Sequence, residues 1–315
     1  ITFYKMKIIY FGSDEFGIPS LYELKKNFDI LTIITSPDKP KGRGQKILPT
    51  PVKIWAIENK IDVQTPAEFD KNFISKLKSL NPDLLILISY GKKLPMEIIK
   101  IPEFCSINLH PSLLPKYRGA APIEWCLISG EEETGITVIK MEENIDAGEI
   151  IEQRKFSILP DDDAITLKNR LSNEGGKILI SAIEKIKKGE RGEKQKGIPS
   201  YARKLKKEDG KINWEKSAKD IHNLVRGVIE WPTAYTYIET KNGKKLIKIF
   251  KTEIEKESGK FGMIGEIVKI GNDFIEVACG NGTIKIKQLQ VEGKKRIETS
   301  EFLKGFHCPL TKFTN

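Results

Sequence analysis

Asn108 and His110 stand two residues apart in the run Ile107-Asn108-Leu109-His110-Pro111, and Asp146 lies further along, just ahead of Ala147-Gly148. On a strand, a two-residue spacing turns both side chains to one face. An Asn amide N–H is a neutral donor for a developing oxyanion. Imidazole gives or takes a proton near neutral pH, and a carboxylate beside it selects its tautomer. No Ser or Cys sits in a recognisable nucleophile elbow, so a covalent acyl-enzyme is not indicated. Together these residue types suit direct acyl transfer to a nucleophile that the substrate brings. A second reading stands beside this one: Asn108 and His110 as polar residues closing a strand, with Asp146 in a turn before Gly148. Spacing alone does not choose between them, because convergence of the three is not visible in a sequence.

The elements that must position these residues follow from hydrophobic patterning. Lys7 to Gly12 is a short β-rich apolar run ending in Gly, the pattern of a buried strand. Ile30–Thr35, Asp83–Ser89 and Cys105–His110 read as further strands, with helices over Val52–Asn59 and Phe69–Ser79 between them. Strands alternating with helices predict an α/β fold with a mostly parallel, Rossmann-like sheet. Ligands in such sheets bind beyond the carboxyl ends of the strands, which is where Asn108 and His110 fall. Thr134–Met141 and Glu149–Ile158 read as two more strands. Asp161-Asp162-Asp163 then caps a long helix with Leu167, Leu171, Ile178, Ile183 and Ile186 at core spacing. The turn from Gly12 to Gly17 has neither a GxGxxG pattern nor the GK[ST] of a P-loop, so a dinucleotide or ATP site is unsupported.

With 315 residues, the chain is long enough for two domains. Its longest apolar runs are too short to span a bilayer. It opens with no cationic segment followed by an apolar stretch, which argues against export. Ile1 to Lys5, ahead of Met6, are left out of the fold reading. Four cysteines without CxxC spacing predict a reduced, cytoplasmic setting and no zinc. The net charge of +10 is unevenly spread. Residues 1–184 hold 24 basic and 26 acidic side chains, residues 185–207 hold ten and two, and residues 208–315 hold 19 and 15. A near-neutral first part, a strongly basic connector and a moderately basic second part suit a polyanion partner. The expected organisation is therefore a catalytic domain over 6–184, a basic linker over 185–207 and a second domain over 208–315.

Between Ser36 and Pro51, four prolines and two glycines predict an irregular loop without helix or strand. Lys39, Lys41, Arg43 and Lys46 make it a cationic arm. After the linker, Ser217–Arg226 reads as a short amphipathic helix. Thr236–Glu239, Lys245–Lys251, Glu266–Ile270, Phe274–Ala278 and Thr283–Leu289 follow as short strands with turns at Asn272-Asp273 and Gly280-Asn281-Gly282. That spacing predicts a small barrel or sandwich, and barrels of the five-stranded Greek-key type often bind single strands or nucleic-acid ends.

The run from Asn108 to Ile123 (Asn-Leu-His-Pro-Ser-Leu-Leu-Pro-Lys-Tyr-Arg-Gly-Ala-Ala-Pro-Ile), followed by Ile145-Asp146-Ala147-Gly148, resembles the signature of the folate-dependent formyltransferases. Pro37 to Gly44, Ser89-Tyr90-Gly91, Tyr201-Ala202-Arg203-Lys204-Leu205, Trp231-Pro232 and Leu289 to Lys295 extend the resemblance over nearly the whole chain. They match the branch whose acceptor is carried on tRNA. The resemblance implies transfer of a formyl group from 10-formyltetrahydrofolate, as co-substrate and without a metal, to the α-amine of methionine on initiator tRNA. It implies a cytoplasmic, monomeric protein with a C-terminal OB-like barrel. By matching positions, Asn108 would bond the formyl oxygen, His110 would stabilise the oxyanion and shuttle protons, and Asp146 would orient His110. Ser112, Leu113, Leu114 and Pro115 would shape the folate site, with the backbone of Ser89, Tyr90 and Gly91 against the pterin. Lys39, Lys41, Arg43, Lys194, Lys196, Lys204 and Lys206 would meet the tRNA. The Asn-x-His and Asp core also occurs in relatives that formylate a purine-precursor amine or an amino sugar. The Arg43 loop, the basic linker and the barrel argue for tRNA.

Overall fold

The computed structural model describes residues 5–41, 46–240, 243–305 and 312–314. They form two compact units. The first takes in residues up to Pro122 with Glu133–Ser157 and Lys168–Arg203; the second takes in Ile123–Glu132, Ile158–Leu167 and the chain from Lys204.

The first unit is built on a seven-stranded sheet. Its strands in chain order are β1 (Lys7–Gly12), β2 (Asp29–Ile34), β3 (Val63–Gln64), β4 (Leu84–Ile88), β5 (Cys105–His110), β6 (Glu133–Lys140) and β7 (Ile150–Ser157). They lie side by side in the order β7-β6-β5-β4-β1-β2-β3. Pairing is parallel from β3 through β5 and antiparallel from β5 through β7, so the expected mostly parallel α/β sheet is present. β1 is central and its apolar run is buried, because both faces of a parallel sheet are covered. Ile9, Phe11, Leu85 and Tyr90 pack with Ile74, Leu77 and Ile98 in one core cluster. The helix Ala164–Lys187 starts where the aspartate run predicts. Asp163 caps it by accepting from the Ile165 and Thr166 N–H groups at 2.9 and 2.8 Å. Among the described residues, no helix is long and apolar enough to cross a membrane.

One expectation for this unit is corrected, and the stretch expected as a basic linker carries regular main-chain pairing. The Ser36–Pro51 segment is not wholly irregular: Lys39–Lys41 pairs antiparallel with Lys46–Leu48. Pro40 is tolerated there because this two-stranded ribbon leaves its N–H side unpaired. Arg43 and the Lys41 side chain lie outside the described residues. The basic stretch 185–207 is held along its main chain. The preceding helix runs on to Lys187, Glu193 and Ile150 exchange backbone hydrogen bonds, and Tyr201–Ala202 pairs in parallel with Arg118–Gly119. The frequent lysines conceal this order, since exposed side chains say little about which main-chain groups are paired.

The second unit is an antiparallel sheet of β8 (Ala234–Thr240), β9 (Gly243–Lys256), β10 (Ile267–Ile270), β11 (Ile275–Ala278), β12 (Thr283–Val291), β13 (Ile297–Glu298) and β14 (Phe313–Thr314). The order is β10-β11-β12-β9-β8-β14, with β13 on β12. β9 is twice the predicted length, and its register with β12 shifts at three places. Such bulges bend and twist a strand, which curls the sheet until Lys312 bridges Glu266 across its two ends. The curled sheet agrees with the OB-like barrel that the resemblance implies, and decides for a barrel where the strand spacing left a sandwich open. Trp214, stacked on Phe313 at 5.7 Å, donates its indole N–H to Thr236 Oγ1 at 2.9 Å inside it. The helix Ala218–Gly227 opens with a capping box between Ser217 and Asp220 and buries Ile221 and Val225.

His222 on that helix sits within 3.0 Å of Thr252 Oγ1. Burial and the Arg226 charge hold its pKa below the ordinary value of 6.5. The unfolded chain therefore takes up the proton first as pH falls, and stability present above about pH 6.5 is lost below it. The melting temperature should drop between pH 7.5 and pH 5.5, and by a smaller amount in His222→Gln. Equal drops in the two proteins would exclude His222 as a source of acid sensitivity.

Candidate active site

The site begins with two register relations. β5 pairs with β4 so that Asn108 lies beside Leu87, and with β6 so that Asn108 lies beside Ile139 and His110 beside Thr137. Strand alternation then puts Asn108 and His110 on one face at the carboxyl end of β5, as their spacing predicts. The chain leaving β6 returns at once: Lys140 N–H donates to the Glu149 carbonyl at 2.9 Å, and Met141 N–H to Ser106 at 2.7 Å. That closure lies beside the start of β5, and the 141–149 loop reaches from there to Asn108 and His110. Asp146 sits in it with a positive φ of 53°. Gly148 is required by contact, since a Cβ there would lie 1.7 Å from the Lys140 carbonyl oxygen.

Asp146 brings the group together. Asn108 Nδ2 donates to Asp146 Oδ1 at 3.1 Å, and His110 Nδ1 stands 3.6 Å from Oδ2. The Gly119 main-chain N–H donates to Oδ2 at 2.8 Å. His110 Nε2 lies 2.9 Å from the Tyr117 carbonyl. A carbonyl only accepts, so Nε2 carries the proton in this arrangement. All three side chains are nearly buried, at 9%, 4% and 9% exposure for Asn108, His110 and Asp146. A carboxamide has two N–H hydrogens, and only one is committed to Asp146. The spatial convergence favours a site over two unrelated polar residues at a strand end.

The loop after β5 is held by its own hydrogen bonds. Ser112 N–H donates to the His110 carbonyl, and the buried Ser112 hydroxyl donates to the Lys116 carbonyl at 2.7 Å. Thr137 Oγ1 donates to the Ser112 carbonyl at 2.6 Å, and Gln153 Nε2 donates to the Leu114 carbonyl at 3.0 Å. Leu114 is buried. The polar groups of Ser112 and Leu114 thus fix the shape of the 112–115 loop.

Ser89, Tyr90 and Gly91 leave β4 two residues beyond the register partner of Asn108. Ser89 and Gly91 are exposed, both at positive φ. The Tyr90 ring points the other way, edge-on to Phe11 at 5.3 Å, and burial pushes its hydroxyl up to about 12. The Tyr90 carbonyl accepts from the Ser13 and Ser36 hydroxyls. The open positions of this segment are therefore Ser89 and Gly91, with Tyr90 buried between them. Lys39, Lys194, Lys196, Lys204 and Lys206 are exposed. A cavity of about 440 Å³ is lined by Leu114, Gln153, Lys185, Glu190, Lys194 and Lys196 among others, and Asn108, His110 and Asp146 take no part in it.

Sequence reasoning missed Thr137, Gln153 and Gln195. Thr137 carried a faint signal, being a polar residue in an apolar strand opposite His110. Gln195 carried none, since it stands among lysines far along the chain.

Two family models match this chain: the formyl transferase model over residues 6–183 and the formyl transferase C-terminal domain over residues 204–307. The chain belongs to the formyl transferase family. Its relatives include the methionyl-tRNA formyltransferase of Thermodesulfovibrio yellowstonii, 45% identical over 301 residues and covering 95% of each chain. The methionyl-tRNA formyltransferase of Geobacter metallireducens is 42% identical over 304 residues, 95% of this chain and 96% of that protein. Among solved structures, an N-formyltransferase from Helicobacter canadensis superposes with a TM-score of 0.67 at 22% identity, covering 89% of this chain and 98% of that one. The methionyl-tRNA formyltransferase of Clostridium thermocellum gives 0.54 at 20% identity, covering 79% and 94%.

Replacing Gly148 with Ala would force the 146–148 loop off the Lys140 carbonyl. Displacing a reactive group by an ångström costs on the order of 10²-fold in rate. Turnover of Gly148→Ala should fall by about that factor while far-UV circular dichroism stays native. Wild-type turnover would show that the loop's position is immaterial.

Proposed function

We propose that this protein transfers the formyl group of 10-formyltetrahydrofolate to the α-amine of methionine on initiator tRNA. The convergence of Asn108, His110 and Asp146 at the end of β5 carries this reading, supported by relatives of that name aligned along nearly the whole chain. The amine lone pair forms the new N–C bond as the C=O π electrons move to oxygen. The uncommitted Asn108 N–H holds that oxyanion, and His110 joins it by exchanging the Tyr117 carbonyl for substrate. Asp146 orients His110 and assists removal of the amine proton. Collapse re-forms the carbonyl and breaks the bond to N10 of the folate, which takes up a proton. Donors fixed where charge develops lower the barrier without reorganising during the reaction.

The rest of the chain serves delivery. Ser112 to Pro115 and the main chain of Ser89–Gly91 bound the folate, and the exposed positions Ser89 and Gly91 meet the pterin. Lys39, Lys41 and Arg43 in the arm reach the acceptor end. Lys194, Lys196, Lys204 and Lys206 follow the acceptor arm. Residues 6–184 carry the chemistry, 185–207 link, and 208–315 bind tRNA. The protein works as a cytoplasmic monomer and needs no metal.

Incubation with 10-formyltetrahydrofolate and methionyl-tRNA should yield N-formylmethionyl-tRNA; formylation of an amino sugar or a ribotide amine in its place would overturn the acceptor. His110→Ala should cut turnover by about 10²–10⁴ with tRNA affinity retained, and surviving turnover would refute the assigned chemistry. Neutralising Arg43, or Lys194, Lys196, Lys204 and Lys206 together, should weaken tRNA binding and flatten its dependence on salt. An unaltered salt slope would mean that these charges only solvate the surface.

A further inference from the structure

Asp146 is gripped by its carboxylate on one side and by its main chain on the other, and the main-chain grip comes from residue 195. Gln195 Nε2 donates to the carbonyls of Asp146 and Gly148 at 2.8 and 2.9 Å. Its Oε1 accepts from Arg118 Nη2 at 2.7 Å and Nε at 3.2 Å. Chemistry dictates that orientation. A reversed amide would set oxygen against two carbonyls and NH₂ against a guanidinium. Glutamate would satisfy the arginine and repel the carbonyls, and asparagine is one methylene short.

The two loops that Gln195 joins are the two that hold the reactive group. Arg118 lies between Tyr117, whose carbonyl meets His110 Nε2, and Gly119, whose N–H meets the Asp146 carboxylate. Asp146 itself occupies the left-handed region at φ 53°. A non-glycine residue stays there only when its surroundings over-determine it. Gln195 can supply that constraint because its own segment is anchored on both sides. Glu193 and Ile150 exchange hydrogen bonds at 2.8 and 2.7 Å, the Ser200 carbonyl and hydroxyl accept from Arg118 and Tyr117 N–H at 2.9 Å each, and Tyr201–Ala202 pairs with Arg118–Gly119.

We propose that Gln195 is a positioning residue for formyl transfer: it locks the main chain of Asp146 so that the carboxylate faces Asn108 and His110. The proposal rests on the formyl-transfer reading above. Gln195 acts through Asp146 and contacts no reacting atom, so its loss should lower kcat and spare substrate binding. The test is steady-state kinetics with 10-formyltetrahydrofolate and methionyl-tRNA on Gln195→Glu, with Gln195→Met as a second variant if the first does not fold. The expected result is a kcat lowered by about 10–100-fold, the usual scale for an outer residue that orients a reactive one, with both KM values near wild type. Placed on an Asp146→Asn background, the same substitution should cause almost no further loss, because effects that run through one residue do not multiply. An unchanged kcat, a change confined to KM, or a loss that multiplies with Asp146→Asn would overturn the positioning role. An inactive wild-type protein would overturn the formyl-transfer reading instead.

Discussion

One buried carboxylate ties the reactive group to the scaffold. Asp146 offers two oxygens, and three partners from two other segments converge on them: Asn108 Nδ2, the Gly119 N–H and His110 Nδ1. A carboxylate at 9% exposure is costly unless donors surround it. Asn108 Nδ2 and the Gly119 N–H are the donors that offset that cost, and His110 stands beside them. Stability of the loop and geometry of the chemistry are therefore one constraint.

That constraint explains the otherwise odd composition of the signature. Gly148 is there because the Lys140 carbonyl leaves no room for a Cβ, and Gly119 because its φ is 120° and the Ala202 carbonyl lies 2.7 Å from where a Cβ would be. Ser112 is there because its hydroxyl closes the loop on the Lys116 carbonyl. Several residues of a motif that reads as ligand-binding are thus occupied with holding their own backbone. Tyr90 makes the same point: its ring belongs to the core with Phe11 and Phe69, and its carbonyl accepts from the Ser13 and Ser36 hydroxyls.

The second unit follows a different logic. Its interior is set by Trp214, Phe313 and alternating isoleucines, while lysines occupy the outer positions. Lys269, Lys285 and Lys287 all lie within 6.0 Å of the Phe274 ring. An apolar interior that closes on itself leaves the surface charge free to be chosen for a partner, which is how a barrel of this kind becomes a polyanion-binding module.

Much of this was legible in the residues. Cys105–His110 was readable as a strand to the residue, because an apolar run ending in alternating polar side chains has one economical conformation. The Asp161-Asp162-Asp163 run was readable as the cap of the long helix for a similarly local reason, and the structure picks Asp163 from it. The family resemblance singled out Asn108, His110 and Asp146, which the fold brings together. What the sequence could not disclose was how distant main-chain groups pair. The hairpin within Ser36–Pro51 forms although prolines argue against it, the register shifts of β9 depend on its partners, and Gln195 reaches Asp146 across 49 positions. Local propensity determines which segments are helix, strand or turn. Only the packed fold determines which carbonyl a single carboxamide, surrounded in sequence by lysines, will find.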